Sequence, residues 1–495
     1  MTDPAAISLS GEWEFRFDGD DAWRPLRVPG CWEELDGVAK DRPGPAWYRH
    51  YLTIPAGTQG TRWWLRFGGV SYDCVISVNG REVGRHRGIW DAFVVEVTAA
   101  VTPGQRAELL LRVEKPASLT AGPDSAAVAG SFPLRETLAG FLPYVWGHIF
   151  GGVWQDVTLR ATGETVFGDV SVRGEADGRV VVEAALSGAA TVRLTVRDLQ
   201  GEIVWAESAA ARGTARFEAT LPTPRPWSPN EPALYEARLE VADRDAHVAP
   251  FGLRTLRVQG TTILLNGRPI YLQMALSWGW YPESLHSNPG PERVRADFAR
   301  LKDLGYNGVK LCLWFPPPYY FDLADELGML LWVELPMWLP KPTPPFRQQV
   351  PLEYERLVRQ ARAHPAVILY SLGCELNREV GADLLGPLYR AVKALAGDAL
   401  VRDNSGSGEA YGGLLVEHAD YYDYHFYGEP LFMRGLIDYF TPRWRAQMPW
   451  VFGEFCDLDT FRDLRQLAPP PGAERPWWTV ADPVRNPQGA RWQGS

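Results

Sequence analysis

The sequence predicts a multidomain protein of the β plus α/β class, with two β-sandwich domains ahead of a (β/α)8-type barrel. The chain has 495 residues, more than the roughly 250 to 300 at which a single hydrophobic core stops growing. Short runs of alternating polarity, separated by turn residues, continue to about residue 256. Beyond residue 257, apolar runs alternate with segments of helical period, as in parallel βα repeats. We therefore expect three domains, over residues 1–161, 162–256 and 257–495.

The first two regions carry the strand signals of β-sandwiches. In the first, residues 11–17 and 62–67 alternate between apolar and polar, and Asn79-Gly80 separates two strand-like runs, which predicts a tight hairpin. In the second, runs at 180–186, 190–196 and 235–241 have the spacing of a small immunoglobulin-like sandwich. The proline-rich segment 222–229 is expected to separate its last two strands.

The third region has the alternation expected of a barrel. Residues 291–305 form an amphipathic helix in this prediction, with Pro291 near its start and Gly305 at its end. Candidate strands recur every 20 to 40 residues or so, at 271–275, 306–313, 330–334, 367–373, 400–403, 421–425 and 450–454. The active site of such a barrel lies at the carboxyl ends of its strands. Either 476–480 is a compact eighth strand, or the barrel is not closed within this sequence.

Composition and charge exclude several classes of function. The net charge is −10, which argues against nucleic acid as a partner, because such binding requires clustered Lys and Arg. The amino terminus lacks a positive segment followed by an apolar one, and no apolar run reaches about 18 residues. We expect a cytoplasmic protein without membrane contact. The five cysteines lack zinc-site spacing, so free thiols and no bound metal are expected.

Three glutamates end predicted barrel strands. Glu375 follows the apolar run that begins at His364, and Glu454 ends the seventh candidate strand. Paired carboxyl groups can serve as a nucleophile and as a general acid and base. Glu334 is a third carboxylate in an equivalent position, so spacing alone does not select the reacting pair.

Several segments together resemble glycoside hydrolase family 2 over essentially the whole chain. The domain order is similar to that of the family: a sugar-binding-like jelly roll, an immunoglobulin-like sandwich and a barrel. Two barrel segments also resemble family motifs, with 319–336 similar to the third-strand region and 364–375 similar to the acid/base motif. The segments that carry the resemblance ahead of the barrel helices are 28–32, 75–84, 151–157, 226–235, 251–254 and 265–270.

The resemblance implies a retaining, exo-acting β-glycoside hydrolase. Glu375 would be the general acid/base and Glu454 the nucleophile, in a double displacement through a covalent glycosyl-enzyme. That division requires Glu375 to be protonated while hydrogen bonds hold Glu454 ionised. The implied partner is a carbohydrate such as a galactoside, glucuronide or mannoside, without a metal or organic cofactor, and a homo-oligomer is possible.

The candidate sugar-binding residues include departures from the family pattern. Cys374 stands where the family usually has an Asn that contacts the sugar 2-hydroxyl, and a thiol cannot replace a two-sided amide. Lys310 and Trp314 occupy the region of the family's second-strand Arg and His, and Lys lacks the bidentate fork of Arg. His425 stands where Asn is common, with either a structural hydrogen bond or a sugar contact as its role.

Three further residues complete the predicted sugar site. Tyr427 falls where the family places a tyrosine near the nucleophile, so we assign it a supporting role, against ordinary aromatic packing as the alternative. Trp278, after the first barrel strand, is a candidate sugar platform. Glu334 is included as a third carboxylate, although a buried acceptor or ion-pair role is the alternative for it.

Two other functions remain open at this stage. A catalytically silent carbohydrate-binding protein could keep the fold without turnover, because fold alone does not establish function. Retention of Glu375 and Glu454 argues against it, while Cys374 and Lys310 argue for it. Metal-dependent chemistry is the other alternative, with ligands from Cys312, Cys374, Cys456 and His425, but no short ligand spacing supports it.

Overall fold

A computed structural model describes most of the chain up to residue 455. The candidate eighth strand at 476–480 and Cys456 lie outside the described residues. The described ranges are 6–39, 42–56, 61–115, 136–142, 149–241, 245–281, 284–376, 380–406, 418–427, 430–440 and 447–455.

In the described part of the amino-terminal region, two larger antiparallel sheets and one two-stranded sheet contribute to one hydrophobic core. One sheet has six strands in the order β3-β2-β4-β10-β7-β8, the other has four in the order β1-β12-β5-β9, and β6 pairs with β11. The strands are β1 (Ile7–Ser8), β2 (Gly11–Phe17), β3 (Arg24–Val28), β4 (Ala46–Thr53), β5 (Arg62–Phe67), β6 (Val70–Ser71), β7 (Asp73–Val78), β8 (Arg81–Arg87), β9 (Phe93–Glu96), β10 (Arg106–Glu114), β11 (Gly152–Val153) and β12 (Val157–Thr162), with short 3-10 helices at Trp32–Glu34 and Thr98–Ala100.

The sequence pattern explains how these sheets face each other. Strand β10 alternates buried and half-buried residues along its length, so one face packs into the core. The predicted hairpin at Asn79-Gly80 is confirmed, because β7 and β8 pair antiparallel on either side of it. Asn79 and Gly80 have φ of 49° and 78°, the left-handed conformation that a two-residue hairpin turn requires.

A five-stranded antiparallel sheet follows, with its own hydrophobic cluster. The prediction of separate strands at 180–186 and 190–196 is wrong, because both belong to the 19-residue strand β14. Its register with β15 shifts between Ala185 and Ala189, close to where β14 stops pairing with β13 and begins to pair with β16. The strands are β13 (Phe167–Gly174), β14 (Arg179–Arg197), β15 (Ile203–Thr220), β16 (Tyr235–Val241) and β17 (Asp245–Phe251).

The carboxyl-terminal part contains a parallel sheet with helices between its strands. Strands β21 to β25 pair in chain order, and a second parallel pair joins β26 and β27. A small antiparallel sheet precedes them, formed by β18 (Leu256–Gln259), β19 (Thr262–Leu265) and β20 (Arg268–Pro269). The parallel strands are β21 (Met274–Ser277), β22 (Gly308–Leu311), β23 (Leu330–Glu334), β24 (Val367–Ser371), β25 (Leu400–Arg402), β26 (Tyr422–Phe426) and β27 (Trp450–Phe455).

Within the described ranges, five helices accompany these strands, and four of them begin at proline. They are α1 (Pro291–Asp303), α2 (Pro318–Leu327), α3 (Pro344–Ala361), α4 (Ala382–Leu395) and α5 (Pro430–Phe440). Helix α1 confirms the predicted helix, because Pro291 supplies the φ that a first turn needs and Val294 and Phe298 are its buried residues. The strands predicted between 306 and 454 are also confirmed to within a few residues, whereas the first strand begins at Met274 rather than 271.

Buried polar contacts fix the middle sheet against the parallel one. The Trp227 indole is fully buried and donates a hydrogen bond to the Asp325 carbonyl at 2.9 Å. Arg254 donates to the Val367 carbonyl at 2.7 Å and to the Asp398 carboxylate at 2.6 Å. Among the helices in the described ranges, none is long and apolar enough to cross a membrane.

Candidate active site

The site forms where the parallel strands end at their carboxyl termini. Lys310 lies in β22, Glu334 ends β23, and His425 and Glu454 are register partners on β26 and β27. Because neighbouring parallel strands end at one edge of a sheet, residues far apart in the sequence meet there. The ligand-capable atoms of Glu375, His425 and Glu454 all lie within 4.8 Å of one another.

Glu454 is surrounded by basic side chains and a hydroxyl donor. Its Oε1 lies 3.3 Å from Lys310 Nζ and 3.7 Å from His425 Nε2. Its Oε2 accepts a short hydrogen bond from the Tyr427 hydroxyl. Burial on its own would raise the pKa of Glu454, but Lys310, His425 and Tyr427 together hold it below its usual value. Glu454 is therefore ionised near neutral pH.

Lys310 is a buried cation between two carboxylates. Its Nζ lies 2.9 Å from Glu334 Oε2, and it donates to Ser405 Oγ at 3.0 Å. Burial alone would lower the pKa of Lys310, yet the nearby acids, Glu334 first, raise it well above its ordinary value. The ammonium also lies 4.8 Å from the centre of the Trp332 ring, within range of a cation–π interaction.

Glu375 is held next to the pair through its backbone and its side chain. It follows β24 by four residues and adopts a left-handed φ of 47°, a strained conformation for a residue with a Cβ. Its N–H donates to the Ser405 carbonyl at 2.9 Å. Its Oε1 lies 3.0 Å from His425 Nδ1, so the ring of His425 connects the two candidate catalytic carboxylates.

A short polar chain fixes the His425 ring. Ser405 Oγ lies 3.2 Å from His425 Nε2 and donates to Asp423 Oδ2 at 2.5 Å. Burial would lower the pKa of His425, but its bond to Glu375 and the charge of Asp423 raise it overall. Sequence reasoning missed Ser405 and Asp423. The available signal was that Asp423 stands two residues before His425 in one strand, so both side chains share a face.

Two thiols contact the same oxygen of Glu454. Cys312 Sγ and Cys374 Sγ lie 3.7 and 3.6 Å from Glu454 Oε1. Burial raises the pKa of Cys312 to about 12 and raises that of Cys374 as well. Both are therefore neutral thiols near pH 7. The ligand-capable atoms of Cys312, Glu334, Cys374 and Glu454 all lie within 4.8 Å of one another.

Two of the predicted sugar contacts need correction. Trp314 is 1% exposed and packs edge-on against Tyr320 while its indole donates to the Ser277 carbonyl at 2.9 Å. It is a core residue without a free face. Glu334 has no exposed surface, so it serves as the ion-pair partner of Lys310 rather than as a sugar ligand.

The remaining sugar-site candidates divide by exposure. Trp278 is 39% exposed, and its ring centre lies 5.0 Å from that of Phe141, which packs on the hydrophobic cluster that contains Cys312 and Cys374. Tyr427 is exposed at its ring and bonded at its hydroxyl. Lys310 and Cys374 are buried, and both contact Glu454. A direct sugar contact by any of the four stays a prediction.

Comparisons with known proteins agree with this architecture. The family model described as glycosyl hydrolases family 2 matches residues 155–254. A β-glucuronidase of Bacteroides fragilis is 26% identical over 76% of this chain, and a β-galactosidase of an Arthrobacter species is 25% identical over 77%. The chain covers 57% and 41% of those two relatives.

A solved structure has the same fold. The apo structure of a β-glucuronidase from Ruminococcus gnavus superposes with a TM-score of 0.78 over 92% of this chain and 84% of that one, at 21% identity. Its mostly-sheet architecture with few helices is therefore shared. The chain is thus similar to the family 2 glycosyl hydrolases, whose family model matches part of it.

Proposed function

We propose that this chain is a retaining exo-β-glycosidase in which Glu454 is the nucleophile and Glu375 the acid/base. The observation that carries the proposal is the placement of one oxygen from each carboxylate within 4.8 Å. Retaining enzymes hold their carboxyl groups about 5 to 5.5 Å apart, whereas inverting enzymes need about 6.5 to 9.5 Å to admit water. The close spacing favours retention.

The electrostatics support this division of roles. Lys310, His425 and the Tyr427 hydroxyl all stabilise the ionised form of Glu454, as a nucleophilic carboxylate requires. Glu375 pairs with His425 at 3.0 Å, and its side chain is 21% exposed. It can therefore reach the leaving-group oxygen and exchange protons with water.

The reaction then proceeds in two balanced steps. In the first, an oxygen of Glu454 attacks the anomeric carbon, the bond to the leaving oxygen breaks, and the proton of Glu375 passes to that oxygen. In the second, Glu375 takes a proton from water, the resulting hydroxide attacks the anomeric carbon, and the bond to Glu454 breaks. Two inversions give overall retention. Neither step draws on a metal or organic cofactor.

We infer a β-glucuronide as the first substrate to test. The relatives from Bacteroides fragilis and Paenibacillus borealis are named β-glucuronidases. The Arthrobacter relative is named a β-galactosidase, so a β-galactoside is the second substrate. The names of these relatives set the order in which the two substrates are tested.

We further infer that the three regions are a jelly roll, an immunoglobulin-like sandwich and a (β/α)8 barrel, over 1–161, 162–256 and 257–495. The chain-order pairing of β21 to β25 and the parallel pair β26 and β27 support the barrel. The separate hydrophobic clusters of the first two regions support two sandwiches. In the proposed barrel, Glu375 follows the fourth strand and Glu454 lies in the seventh.

The acid/base assignment is tested with Glu375→Ala. We expect kcat/KM to fall by about 10²- to 10⁴-fold on glucuronides with poor leaving groups. The fall should be much smaller on a nitrophenyl glucuronide, because nitrophenolate leaves without being protonated. Added azide should restore turnover and yield a β-glycosyl azide. The matched control is Glu355→Ala, an exposed glutamate on α3, which should behave as the parent. Equal losses on both substrate types would refute the assignment.

A further inference from the structure

We propose that Cys312, Cys374, Glu334 and Glu454 form a binding site for one thiophilic divalent cation, such as Zn²⁺ or Cd²⁺. Occupation of the site would engage Glu454, so the bound cation would act as an inhibitor and not as a cofactor. That inhibitory consequence rests on the proposed function, whereas the cation site itself does not. The donors are two sulfurs and two carboxylate oxygens.

The spacing of the donor atoms fits a tetrahedral ion. An ion about 2.3 Å from sulfur and about 2.0 to 2.2 Å from oxygen sets each sulfur–oxygen edge of its tetrahedron at about 3.5 to 3.7 Å. Cys312 Sγ and Cys374 Sγ lie 3.7 and 3.6 Å from Glu454 Oε1. All four donor atoms lie within 4.8 Å of one another, so small side-chain movements complete the coordination.

One donor is available without breaking a contact. Glu334 Oε1 is buried and has no hydrogen-bond partner within the described part of the chain, while Oε2 of the same carboxylate pairs with Lys310 at 2.9 Å. The Lys310 ammonium can therefore keep its bond to Glu334 when Oε1 turns to a metal. Access is through Glu454, whose side chain is 12% exposed.

The charge balance permits the exchange. Each thiol loses its proton to water as a sulfur–metal bond forms, so one divalent cation replaces two protons and the net charge of the buried cluster is unchanged. Lys310 continues to neutralise one carboxylate. Two thiolates select soft ions over hard ones, so Mg²⁺ should not compete.

Calorimetric titration of the full chain, kept reduced, tests the proposal. We expect one equivalent of Zn²⁺ to bind, and Cys312→Ser or Cys374→Ser to weaken binding by 100-fold or more. Cys74→Ser, which removes a buried thiol in β7, is the matched control and should bind as the parent does. Binding that survives in both site variants, or equal binding of Mg²⁺, would overturn the site.

A second measurement covers the case in which a variant fails to fold. Cd²⁺ added to the unsubstituted chain should produce a thiolate-to-metal charge-transfer band at one equivalent, and its absence would overturn the proposal. Turnover is measured separately. Thiol-dependent Zn²⁺ binding without glycoside hydrolysis would sustain the site and reject the proposed function, whereas hydrolysis that is indifferent to bound Zn²⁺ would reject the inhibitory role.

Discussion

Lys310→Met is expected to destabilise the protein by about 3 to 5 kcal/mol at neutral pH. The ammonium lies 2.9 Å from Glu334 and 3.3 Å from Glu454. At an effective dielectric constant of about 20, each contact is worth roughly 5 kcal/mol before the cost of burying the charges. Removing one member of a buried ion pair leaves an uncompensated charge, with a net cost of about 3 to 5 kcal/mol.

A surface pair provides the control for this prediction. Lys341 lies 3.1 Å from Glu136, with side chains 57% and 49% exposed. The distance is similar to that of the Lys310–Glu334 pair, but this pair is exposed to solvent. Lys341→Met should cost about 0 to 1 kcal/mol. Both substitutions remove the same atoms at a similar ion-pair distance. A larger loss of stability in Lys310→Met than in Lys341→Met is therefore attributable to burial.

Urea unfolding followed by tryptophan fluorescence gives both free energies. The cost of Lys310→Met should shrink as pH falls, because without the cation Glu334 and Glu454 take up protons in the folded state at higher pH than in the unfolded chain. A loss below about 1 kcal/mol at neutral pH, or one that does not change with pH, would refute the reasoning that this cation neutralises two buried carboxylates.

Three further perturbations follow from the structure. Burial raises the pKa of Glu353 to about 8. The stability that Glu353 contributes is therefore fully present below its pKa in the unfolded chain and is lost as pH rises through its pKa in the folded state. Relative to the parent, Glu353→Gln should gain about 1.4 kcal/mol of unfolding free energy per pH unit between about pH 5 and 8, measured from denaturation curves. Tyr427→Phe should lower kcat/KM about 10- to 100-fold, since it removes a charged hydrogen bond worth about 1.5 to 3 kcal/mol, and an unchanged value would contradict the contact. Gly406→Ala should abolish turnover, because the added Cβ would lie 2.3 Å from the His425 ring. Gly397 is the matched control: its φ is similar, and a Cβ there would have no described atom within 4 Å, so Gly397→Ala should stay active.

The regular elements of the parallel region were predictable because their signals are local. Apolar runs placed β22 to β27 within a few residues, and the proline and glycine at the ends of α1 set its bounds. The long strand β14 was not predictable in the same way. Gly188 and the alanines around it resemble a turn, and only pairing with β13, β15 and β16 carries the strand through them.

The candidate site was predicted in part for a similar reason. The predicted strand ends placed Glu375 and Glu454 at the site. The sequence did not reveal that His425 contacts Glu375, since that contact depends on Ser405, which binds the backbone of Glu375 and the ring of His425. The burial of Trp314 was missed because an aromatic residue after a strand looks the same whether it faces a ligand or packs on Tyr320. Ser405 was missed because a small hydroxyl residue carries no pattern of its own.

The most direct test of the account is intact mass spectrometry after incubation with an activated 2-deoxy-2-fluoro-β-glucuronide, followed by peptide mapping. The fluorine slows breakdown of the glycosyl-enzyme, so a retaining enzyme should accumulate one sugar adduct per chain. The account predicts that adduct on Glu454, and none in Glu454→Gln. An adduct on Glu375 or Glu334, or turnover of the parent glucuronide with inversion at the anomeric carbon, would contradict it.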